Sequence, residues 1–356
     1  MQKNTHLSRR RIIMTEANQT DKTLNLYPID YPFETLSARI RSNPPKLKLD
    51  PDFQRKYKWD KEGWERASRF IESCLMRIPL PACYFAEAAD GTHLVIDGVQ
   101  RLTTIEKFFN DEFALEGMTA YKELEGKKFS QLGNYCAELE ATTIRCIILR
   151  KENPPNLVQE IFSRLNQGAV KLSDQEIRNA IYPGPLNNLL HTLSKIEEIE
   201  KFGNTLKDSR EGEEIVLRFF ALQDDLEGYE GRLTKFLDSY MRNNSQLSDE
   251  EVKKLKNKFN KTLKMCCDIF ENTVFTDTTK NRPKQSIVYY DLLMHSFANL
   301  SQNMVNGKES RIRDAFKSLC KNAAFQRTLS GGIQNKASIL KRRELWQKKL
   351  NKIVEG

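Results

Sequence analysis

Histidine is scarce in this chain of 356 residues, and its few copies stand far apart. They are His6, His93, His191 and His295. Metal sites need histidine and cysteine at short, characteristic spacings, and the seven cysteines include no Cys-x-x-Cys pair. We therefore expect neither a zinc site nor a histidine-centred nuclease. The odd number of cysteines favours reduced thiols in a cytoplasm.

Two other patterns are missing. No Gly-x-x-x-x-Gly-Lys-Ser/Thr sequence occurs, which excludes a P-loop as the seat for a nucleotide. No run approaches the roughly 18 apolar residues that cross a membrane. At the amino terminus, the basic residues 9–11 are followed by only the short apolar run 12–14, which is too short for a signal peptide. The sequence predicts a cytoplasmic protein that does not contact a membrane.

Positive charge is concentrated at the two ends of the chain. The formal net charge is +9, of which residues 1–11 contribute +4 and residues 336–356 contribute +5. The body between them is therefore formally neutral. Any electrostatic contact with nucleic acid is expected at the ends or at local patches, and solvated tails without a partner are the alternative.

A short apolar run in the first half of the chain is followed at once by a helical pattern. Leu94–Ile96 has the length and composition of a buried strand, and the apolar residues within 99–109 recur at helical spacing. Between them, Asp97 is placed to cap the helix with its side chain, and Gly98 allows a sharp turn. Backbone N–H groups at the start of such a helix form a seat for phosphate.

Side chains at this turn are open to two interpretations. Gln100 and Arg101 are placed to donate hydrogen bonds to a bound anion. In the alternative, Asp97 only caps, Gly98 only turns, and Arg101 pairs with a surface carboxylate, since strand–turn–helix units are common. The turn alone does not decide between these interpretations.

Several ordered segments between Lys46 and Ala180 resemble one known family. Residues 96–105, Ile-Asp-Gly-Val-Gln-Arg-Leu-Thr-Thr-Ile, are similar to the Asp-Gly-Gln-Gln-Arg signature of the GmrSD-type restriction endonuclease N-terminal domain family. The other similar segments are Pro51-Asp52-Phe53-Gln54-Arg55 with Trp59, Arg77-Ile78-Pro79-Leu80-Pro81, Ile161-Phe162-Ser163-Arg164-Leu165-Asn166-Gln167-Gly168 and Leu172-Ser173-Asp174-Gln175-Glu176-Ile177-Arg178-Asn179-Ala180. One departure is Val99, which stands where the family usually has the first glutamine.

The resemblance implies an α+β protein in which a ParB/sulfiredoxin-like N-terminal domain is followed by an all-α helical domain. The expected division is a disordered tail over residues 1–24, the nucleotide-binding domain over 25–182 and the helical domain over 183–356. Sulfiredoxin-like chemistry is not expected, because we expect no cysteine beside Asp97–Arg101.

The resemblance also implies a set of site residues. Asp97 and Glu176 are the candidate catalytic groups, which would orient a divalent ion, Mg²⁺, or the attacking water. The candidate nucleotide- and phosphate-binding residues are Gln54, Arg55, Gly98, Gln100, Arg101, Thr104, Arg164, Asn166, Gln175 and Arg178. Arg164 and Arg178 are expected to line the same cleft as Arg101, and the alternative for both is a surface salt bridge.

Apolar periodicity predicts the remaining elements. In the first half we expect the helix Glu34–Arg41 as the first regular element, then the strand Lys46–Asp50, the helix Lys61–Met76, the strand Ala82–Ala86, a hairpin at Ala89-Asp90-Gly91, the strand Thr142–Leu149, the helix Leu157–Asn166 and the helix Asp174–Tyr182. Ser173 and Glu176 predict a capping box for the last of these. The later helices are expected over 187–202, 213–226, 233–240, 249–270, 286–300, 312–325 and 336–353.

Three functions are compatible with this reading. The resemblance favours a sensor or regulatory subunit of an anti-phage, modification-dependent restriction system, which binds and hydrolyses a nucleoside triphosphate. A ParB-like module that binds DNA under nucleotide control without significant hydrolysis is the second function, and a structural partner of a nuclease is the third. The chain has no nuclease motif of its own, so a separate nuclease subunit is the expected partner. It would dock on the helical half through residues such as Trp346, for which a core position is the alternative.

Overall fold

The computed structural model describes residues 23–49, 57, 59–60, 63–88, 90–154, 157–158, 160–161, 164, 173–202, 210–223 and 226–355. Contacts along the chain divide it into two compact units. One comprises residues 1–48 and 68–161, and the other comprises residues 49–67 and 162–356. We call the first the sheet unit and the second the helical unit.

Within the described residues, the sheet unit is built on a mixed sheet of five strands. They are β1 (Leu26–Pro32), β2 (Leu47–Lys48), β3 (Cys83–Glu87), β4 (His93–Asp97) and β5 (Thr143–Leu149). Their order across the sheet is β1-β5-β3-β4-β2. The pairs β1/β5 and β3/β4 are antiparallel, and β5/β3 and β4/β2 are parallel. The predicted hairpin at Gly91 is therefore confirmed, since it joins β3 to β4.

The edge strand β1 was not predicted. The expectation that Glu34–Arg41 is the first regular element is wrong, because β1 precedes that helix. No residue of β1 is buried, so the strand lacks the apolar alternation that reveals a strand in a sequence. Pro28 and Pro32 are tolerated at this position because an edge strand has one side on which no N–H donor is required.

Four α-helices accompany the sheet among the described residues. They are α1 (Phe33–Arg41), α2 (Glu65–Leu75), α3 (Val99–Phe109) and α4 (Tyr135–Ala141). The Ser37 hydroxyl donates to the Glu106 carboxylate over 2.8 Å, which ties α1 to α3. Leu102, Ile105 and Phe108 of α3 are buried in the unit's core. Helix α3 is thus held by its buried apolar face and, near its end, by α1.

The helical unit contains α-helices and short turns. Its described helices are α5 (Asp174–Ile181), α6 (Pro185–Ser194), α7 (Glu197–Glu200), α8 (Glu211–Ala221), α9 (Leu233–Asn244), α10 (Asp249–Phe270), α11 (Ile287–Phe297), α12 (Gln302–Val305), α13 (Glu309–Cys320), α14 (Ala323–Arg327) and α15 (Lys336–Val354). One hydrophobic core joins them. Its aromatic members include Phe259, Phe297 and Trp346, all nearly or fully buried.

The predicted α+β class with a helical carboxy-terminal region is confirmed. The ParB/sulfiredoxin-like assignment and the predicted domain boundaries stay predictions. Two predicted helices, 187–202 and 312–325, are each divided in two in the structure. The predicted helix Leu157–Asn166 lies largely outside the described residues. No helix in the described part of the chain is long and apolar enough to cross a membrane.

Trp346 is a core residue. Its side chain is fully buried, and its indole N–H donates to the Ser296 hydroxyl over 2.8 Å. The expectation that Trp346 contacts a nuclease partner is therefore wrong, and the alternative of a core position is confirmed. The apolar side of α15 faces the core of the helical unit, where Leu350 and Ile353 are also buried.

Candidate phosphate-binding site

The turn between β4 and α3 has the backbone geometry that the sequence predicts. Gly98 has φ 103° and ψ 4°, a left-handed conformation, and it forms the N-cap of α3. Val99 begins the helix immediately afterwards. The first N–H groups of a helix have no acceptor within the helix, so they and the positive end of its dipole favour a bound anion.

Gly98 is required here for a second reason, which is the close approach of Cys83. A Cβ atom built on Gly98 would overlap the Cys83 Sγ and lie 3.1 Å from the Cys83 Cβ. Cys83 is the first residue of β3 and is fully buried. A side chain at position 98 is therefore disfavoured both by the backbone angle and by the side chain packed behind the turn.

The prediction that Asp97 caps α3 through its side chain is wrong. No side chain makes a capping hydrogen bond at the start of α3. The Asp97 carboxylate instead accepts a hydrogen bond through Oδ2 from the Arg101 guanidinium, over 2.8 Å. Because this is an ion pair one helical turn apart, the charge-assisted bond competes with the backbone N–H groups that a cap would have served.

Arg101 is held in place by three acceptors. Its Nη1 donates to the Pro81 carbonyl, and its Nη2 donates to the Ala82 carbonyl over 3.2 Å and to Asp97. The side chain is only 12% exposed. Since a guanidinium has five N–H donors, Nε–H and one N–H of Nη1 remain for a ligand. The surface-carboxylate interpretation is thus partly correct, and the guanidinium is fixed beside the turn as well.

The next two candidate residues on α3 differ in exposure. Thr104 is fully buried, and its hydroxyl donates to the Gln100 carbonyl over 2.8 Å. Gln100 is half-buried in the first turn. Of the two, only Gln100 presents a partly exposed side chain at the start of the helix. The assignment of both as phosphate-binding residues stays a prediction.

Two cysteines lie under the turn, contrary to the expectation that none would be near it. Cys83 and Cys146 are paired residues on the parallel strands β3 and β5, and both are fully buried. A hydrogen bond with Cys83 and burial raise the pKa of the Cys146 thiol. Cys83 and Gly98 are 15 residues apart in the sequence. They become neighbours because β3 and β4 pair antiparallel, with Tyr84 opposite Asp97.

The candidate residues of α5 lie in the helical unit. Ser173 and Glu176 form the predicted capping box: the Ser173 hydroxyl accepts the Glu176 N–H, and the Glu176 carboxylate accepts the Ser173 N–H over 2.5 Å. Glu176 is nearly fully buried. Its carboxylate therefore stabilises the start of α5. The catalytic role assigned to Glu176 stays a prediction.

Arg178 is the most deeply buried charge among the candidates, at 1% exposure. Its Nε donates to Asp238 on α9 over 2.8 Å, and its Nη1 donates to Glu214 on α8 over 2.9 Å and to Gln175 over 3.0 Å. Its Nη2 has no hydrogen-bond partner in the described part of the chain. Arg178 joins three helices of one unit, so its surface salt-bridge alternative is wrong.

A second polar cluster in the helical unit was missed by sequence reasoning. The Glu213 carboxylate on α8 is buried and meets Asn179 Nδ2 over 2.5 Å, His191 Nδ1 over 2.9 Å and the Arg210 guanidinium. The local sequence signal for this cluster was the spacing of Arg210 and Glu213, which are three residues apart and can therefore pair on one helical turn. The cluster adds another tie between α5 and α8.

Three candidate residues, Gln54, Arg55 and Asn166, lie outside the described residues. Arg164 is described and is exposed. The structure brings Asp97, Gly98 and Arg101 together in the sheet unit, and Gln175 and Arg178 together in the helical unit. The prediction that Arg164 and Arg178 line the same cleft as Arg101 stays a prediction.

The fit of Mg²⁺ to these residues can be judged from the donor atoms. Among the described residues there is no group of three or more histidine, cysteine, aspartate or glutamate side chains that could hold a metal. Mg²⁺ in phosphate-transfer sites, however, is commonly held by one or two carboxylates together with the phosphates. Asp97 is half-exposed and bonds Arg101 through Oδ2 alone, so Oδ1 fits this kind of coordination.

Comparison with known proteins gives one match. Residues 34–183 match the family model described as GmrSD restriction endonuclease, N-terminal domain. No curated protein and no solved structure matches the chain. The matched range includes the turn at Gly98 and helix α5, and it excludes most of the helical unit.

Proposed function

Residues 34–183 belong to the family of GmrSD restriction endonuclease N-terminal domains, and from this premise we propose that the chain is a nucleotide-binding subunit of a restriction system. It binds a nucleoside triphosphate at the turn between β4 and α3 and hydrolyses it. A separate nuclease cuts DNA in response.

The observation that carries this proposal is the geometry of the turn. Gly98 has a left-handed conformation, Cys83 supports it from behind, and Arg101 is fixed by Pro81, Ala82 and Asp97. A phosphate group that arrives here meets backbone N–H groups and a guanidinium that need no rearrangement. Preorganised donors of this kind are what phosphoryl transfer requires, because its transition state is stabilised mainly by position and charge.

Asp97 supplies the negative group of the site. A bound Mg²⁺ would supply charge neutralisation between the phosphate oxygens. Asp97 Oδ1 is the oxygen available to orient that ion or the attacking water, while Oδ2 remains on Arg101. The ion pair between Asp97 and Arg101 thereby places a guanidinium for the phosphates and a carboxylate for the metal or water within four residues of each other.

Nucleotide binding is best tested on two arginines of the same unit. Arg101→Ala removes the guanidinium at the turn, and Arg145→Ala is the matched control, because Arg145 also pairs with an aspartate, Asp30, over 2.8 Å, but is 60% exposed on β5. Equilibrium binding of ATP, GTP, CTP and UTP is measured for each protein. We expect at least about a ten-fold loss of affinity in Arg101→Ala, equivalent to about 1.4 kcal/mol, and none in the control.

Folding of the variant has to be measured in parallel. Loss of Arg101 leaves the carbonyls of Pro81 and Ala82 without these donors, which costs about 1 to 3 kcal/mol of stability. Binding is therefore compared well below the melting temperature of each variant. A folded Arg101→Ala protein that binds nucleotide normally contradicts the proposed seat.

Hydrolysis is tested separately by phosphate release in the presence of Mg²⁺. Asp97→Asn keeps the size of the side chain and a hydrogen bond to Arg101 but removes the charge. We expect this variant to retain nucleotide binding and to lose hydrolysis. Equal turnover in Asp97→Asn and the unmodified protein would remove Asp97 from the mechanism, and no turnover in either would favour the nucleotide-controlled module without hydrolysis.

A further inference from the structure

The long helix α10 presents a strongly basic face in the formally neutral body of the chain. Five of its lysines are exposed, namely Lys253, Lys254, Lys256, Lys261 and Lys264. The exposed asparagines Asn257 and Asn260 lie between them. At about 1.5 Å of rise per residue, the stretch from Lys253 to Lys264 is about 17 Å long. We call this set of residues the lysine face.

The opposite side of α10 explains why these side chains all face outward. Phe259, Leu263, Cys266 and Phe270 are buried in the core of the helical unit. Apolar residues at helical spacing fix the rotation of the helix, so the intervening lysines must point away from the core. The lysine face is therefore a broad basic surface on a helix that is anchored along its length.

The charges of the lysine face are largely unneutralised. Within the described residues, Lys264 pairs with Asp268 over 2.8 Å, and Lys254 is close enough to Glu251 to help lower the pKa of that carboxyl, after its hydrogen bonds with Ser248. No hydrogen bond or ion pair there involves the side chains of Lys253, Lys254, Lys256 and Lys261. The acidic residues of the helix stand in its first turn and at Asp268. Acidic groups in the first turn stabilise a helix through its dipole, and they leave the middle of α10 with one sign of charge.

The carboxy-terminal helix α15 has seven basic residues, against six in α10, but uses them differently. Arg342 is buried and donates to the carbonyls of Thr328 and Ile333, and Arg343 donates to the carbonyl of Leu222. Lys341 pairs with Glu344. Much of the positive charge of α15 is thus already paired with carbonyl or carboxylate oxygens of the protein. Helix α10 is therefore the stronger candidate for binding an anionic partner.

We infer that the lysine face of α10 binds the phosphate backbone of double-stranded DNA. Duplex DNA presents one negative charge per about 1.7 Å of its axis, so a basic surface about 17 Å long can meet several phosphates at once. Asparagine amides donate to phosphate or base edges between lysines, as they commonly do in protein–DNA contacts. This inference goes beyond the proposed function and does not rest on nucleotide binding.

The test uses the full-length chain and a fluorescent duplex of about 20 base pairs, with the dissociation constant measured by anisotropy over a range of salt concentrations. In the test variant, Lys253, Lys254, Lys256 and Lys261 are all changed to glutamate. In the matched control, four exposed lysines elsewhere that make no side-chain ion pair in the described part, Lys122, Lys151, Lys195 and Lys321, are changed to glutamate. Both variants change the net charge equally. Melting curves check that both remain folded.

We expect the test variant to lose affinity by about a hundred-fold or more near 0.1 M salt, because each phosphate contact contributes about 0.9 to the salt exponent. The slope of log affinity against log salt should flatten by about 3 to 4. The control should keep the original slope. Arginine at the same four positions of α10 should retain binding, since it keeps the charge.

Several results would overturn the inference. One is unchanged DNA binding in the test variant, and another is an equal loss in the control, which would indicate a general charge effect. A third is absence of duplex binding by the unmodified protein at low salt. Binding through the lysine face to vesicles containing phosphatidylserine, but not to DNA, would assign the face to a membrane and would also overturn it.

Discussion

At the scale of single residues, Gly98 carries the strictest requirement in the sheet unit. Gly98→Ala forces a left-handed conformation on a residue with a Cβ, at about 1 to 2 kcal/mol, and also pushes that Cβ into Cys83. Gly91→Ala is a suitable control, because Gly91 has φ +78° and nothing lies within 4 Å of an added Cβ. Urea denaturation should show a loss for Gly98→Ala that exceeds the loss for Gly91→Ala by 1 kcal/mol or more. Equal midpoints would show that β3 moves away from the turn at little cost.

His295 predicts a dependence of stability on acid. Burial, followed by the positive charges of Arg343 and Lys258, lowers its pKa to about 4. In the unfolded chain a histidine titrates near 6.5, so below that pH the unfolded state binds a proton that the folded state does not. The free energy of unfolding should therefore fall as the pH decreases from about 6.5 to 4, by up to about 1.4 kcal/mol per pH unit.

This dependence can be isolated with His295→Gln. The free energy of unfolding of the original protein should fall relative to that of the variant as the pH decreases from 7 to 5, because His295 is the one titratable group that differs between them. Guanidinium denaturation at several pH values measures it. A constant difference over this range would mean that His295 has the same pKa in the folded and the unfolded protein.

Residue patterns in the sequence were sufficient to find the turn but not its bonding. The change from a strand period to a helix period at Gly98 predicted both the backbone turn and the helix that starts at Val99. Whether Asp97 caps the helix or pairs with Arg101 depends on where Pro81 and Ala82 hold the guanidinium, and that is a tertiary contact. Cys83 was overlooked for the same reason.

At the scale of secondary-structure elements, α5 is attached to its neighbours by buried charge. Arg178→Ala would leave Asp238 with an uncompensated buried charge and would also remove the bond to Glu214. Breaking a buried pair in this way costs about 3 to 5 kcal/mol. Lys264→Ala, which removes an exposed pair with Asp268, should cost about 0.5 kcal/mol or less.

Chemical denaturation of both variants measures this difference. Adding Asp238→Asn to Arg178→Ala should restore part of the stability, because the carboxylate no longer lacks its partner. If Arg178→Ala costs no more than Lys264→Ala, the bonds of Arg178 do not hold α5 in place.

An element can be predicted from the sequence when one of its faces is buried and the other is exposed, because its apolar residues then recur at a regular spacing. α10 was predicted from Asp249 to Phe270 and occupies these residues, because a long amphipathic helix with a Ser248–Glu251 capping box carries its own signals. β1 has no buried residue and is stabilised by pairing with β5, which a local pattern does not reveal. The short helices after Ser194 and Cys320 were merged with their neighbours because their apolar period continues across the break.

At the scale of the whole molecule, the pure chain is expected not to cleave DNA. The described residues contain no cluster of metal-binding side chains, and the proposed division of labour places cutting in a separate protein. Plasmid and phage DNA are incubated with the purified chain, Mg²⁺ or Mn²⁺, and each nucleotide, and the products are separated on gels. Robust metal-dependent cleavage that disappears in Asp97→Ala would make the turn itself a nuclease site.

The arrangement of Cys83 behind Gly98 has a practical consequence. This thiol is closed off from solvent, while Cys136 and Cys267 are partly exposed. An alkylating reagent can reach Cys83 only when β3 separates from the turn. The rate at which Cys83 is alkylated therefore reports how often this opening occurs in the native protein. A ligand seated on the turn would suppress this opening by a factor of about one plus its concentration divided by its dissociation constant. Mass spectrometry of a single peptide would then give a binding curve for any compound that occupies the turn.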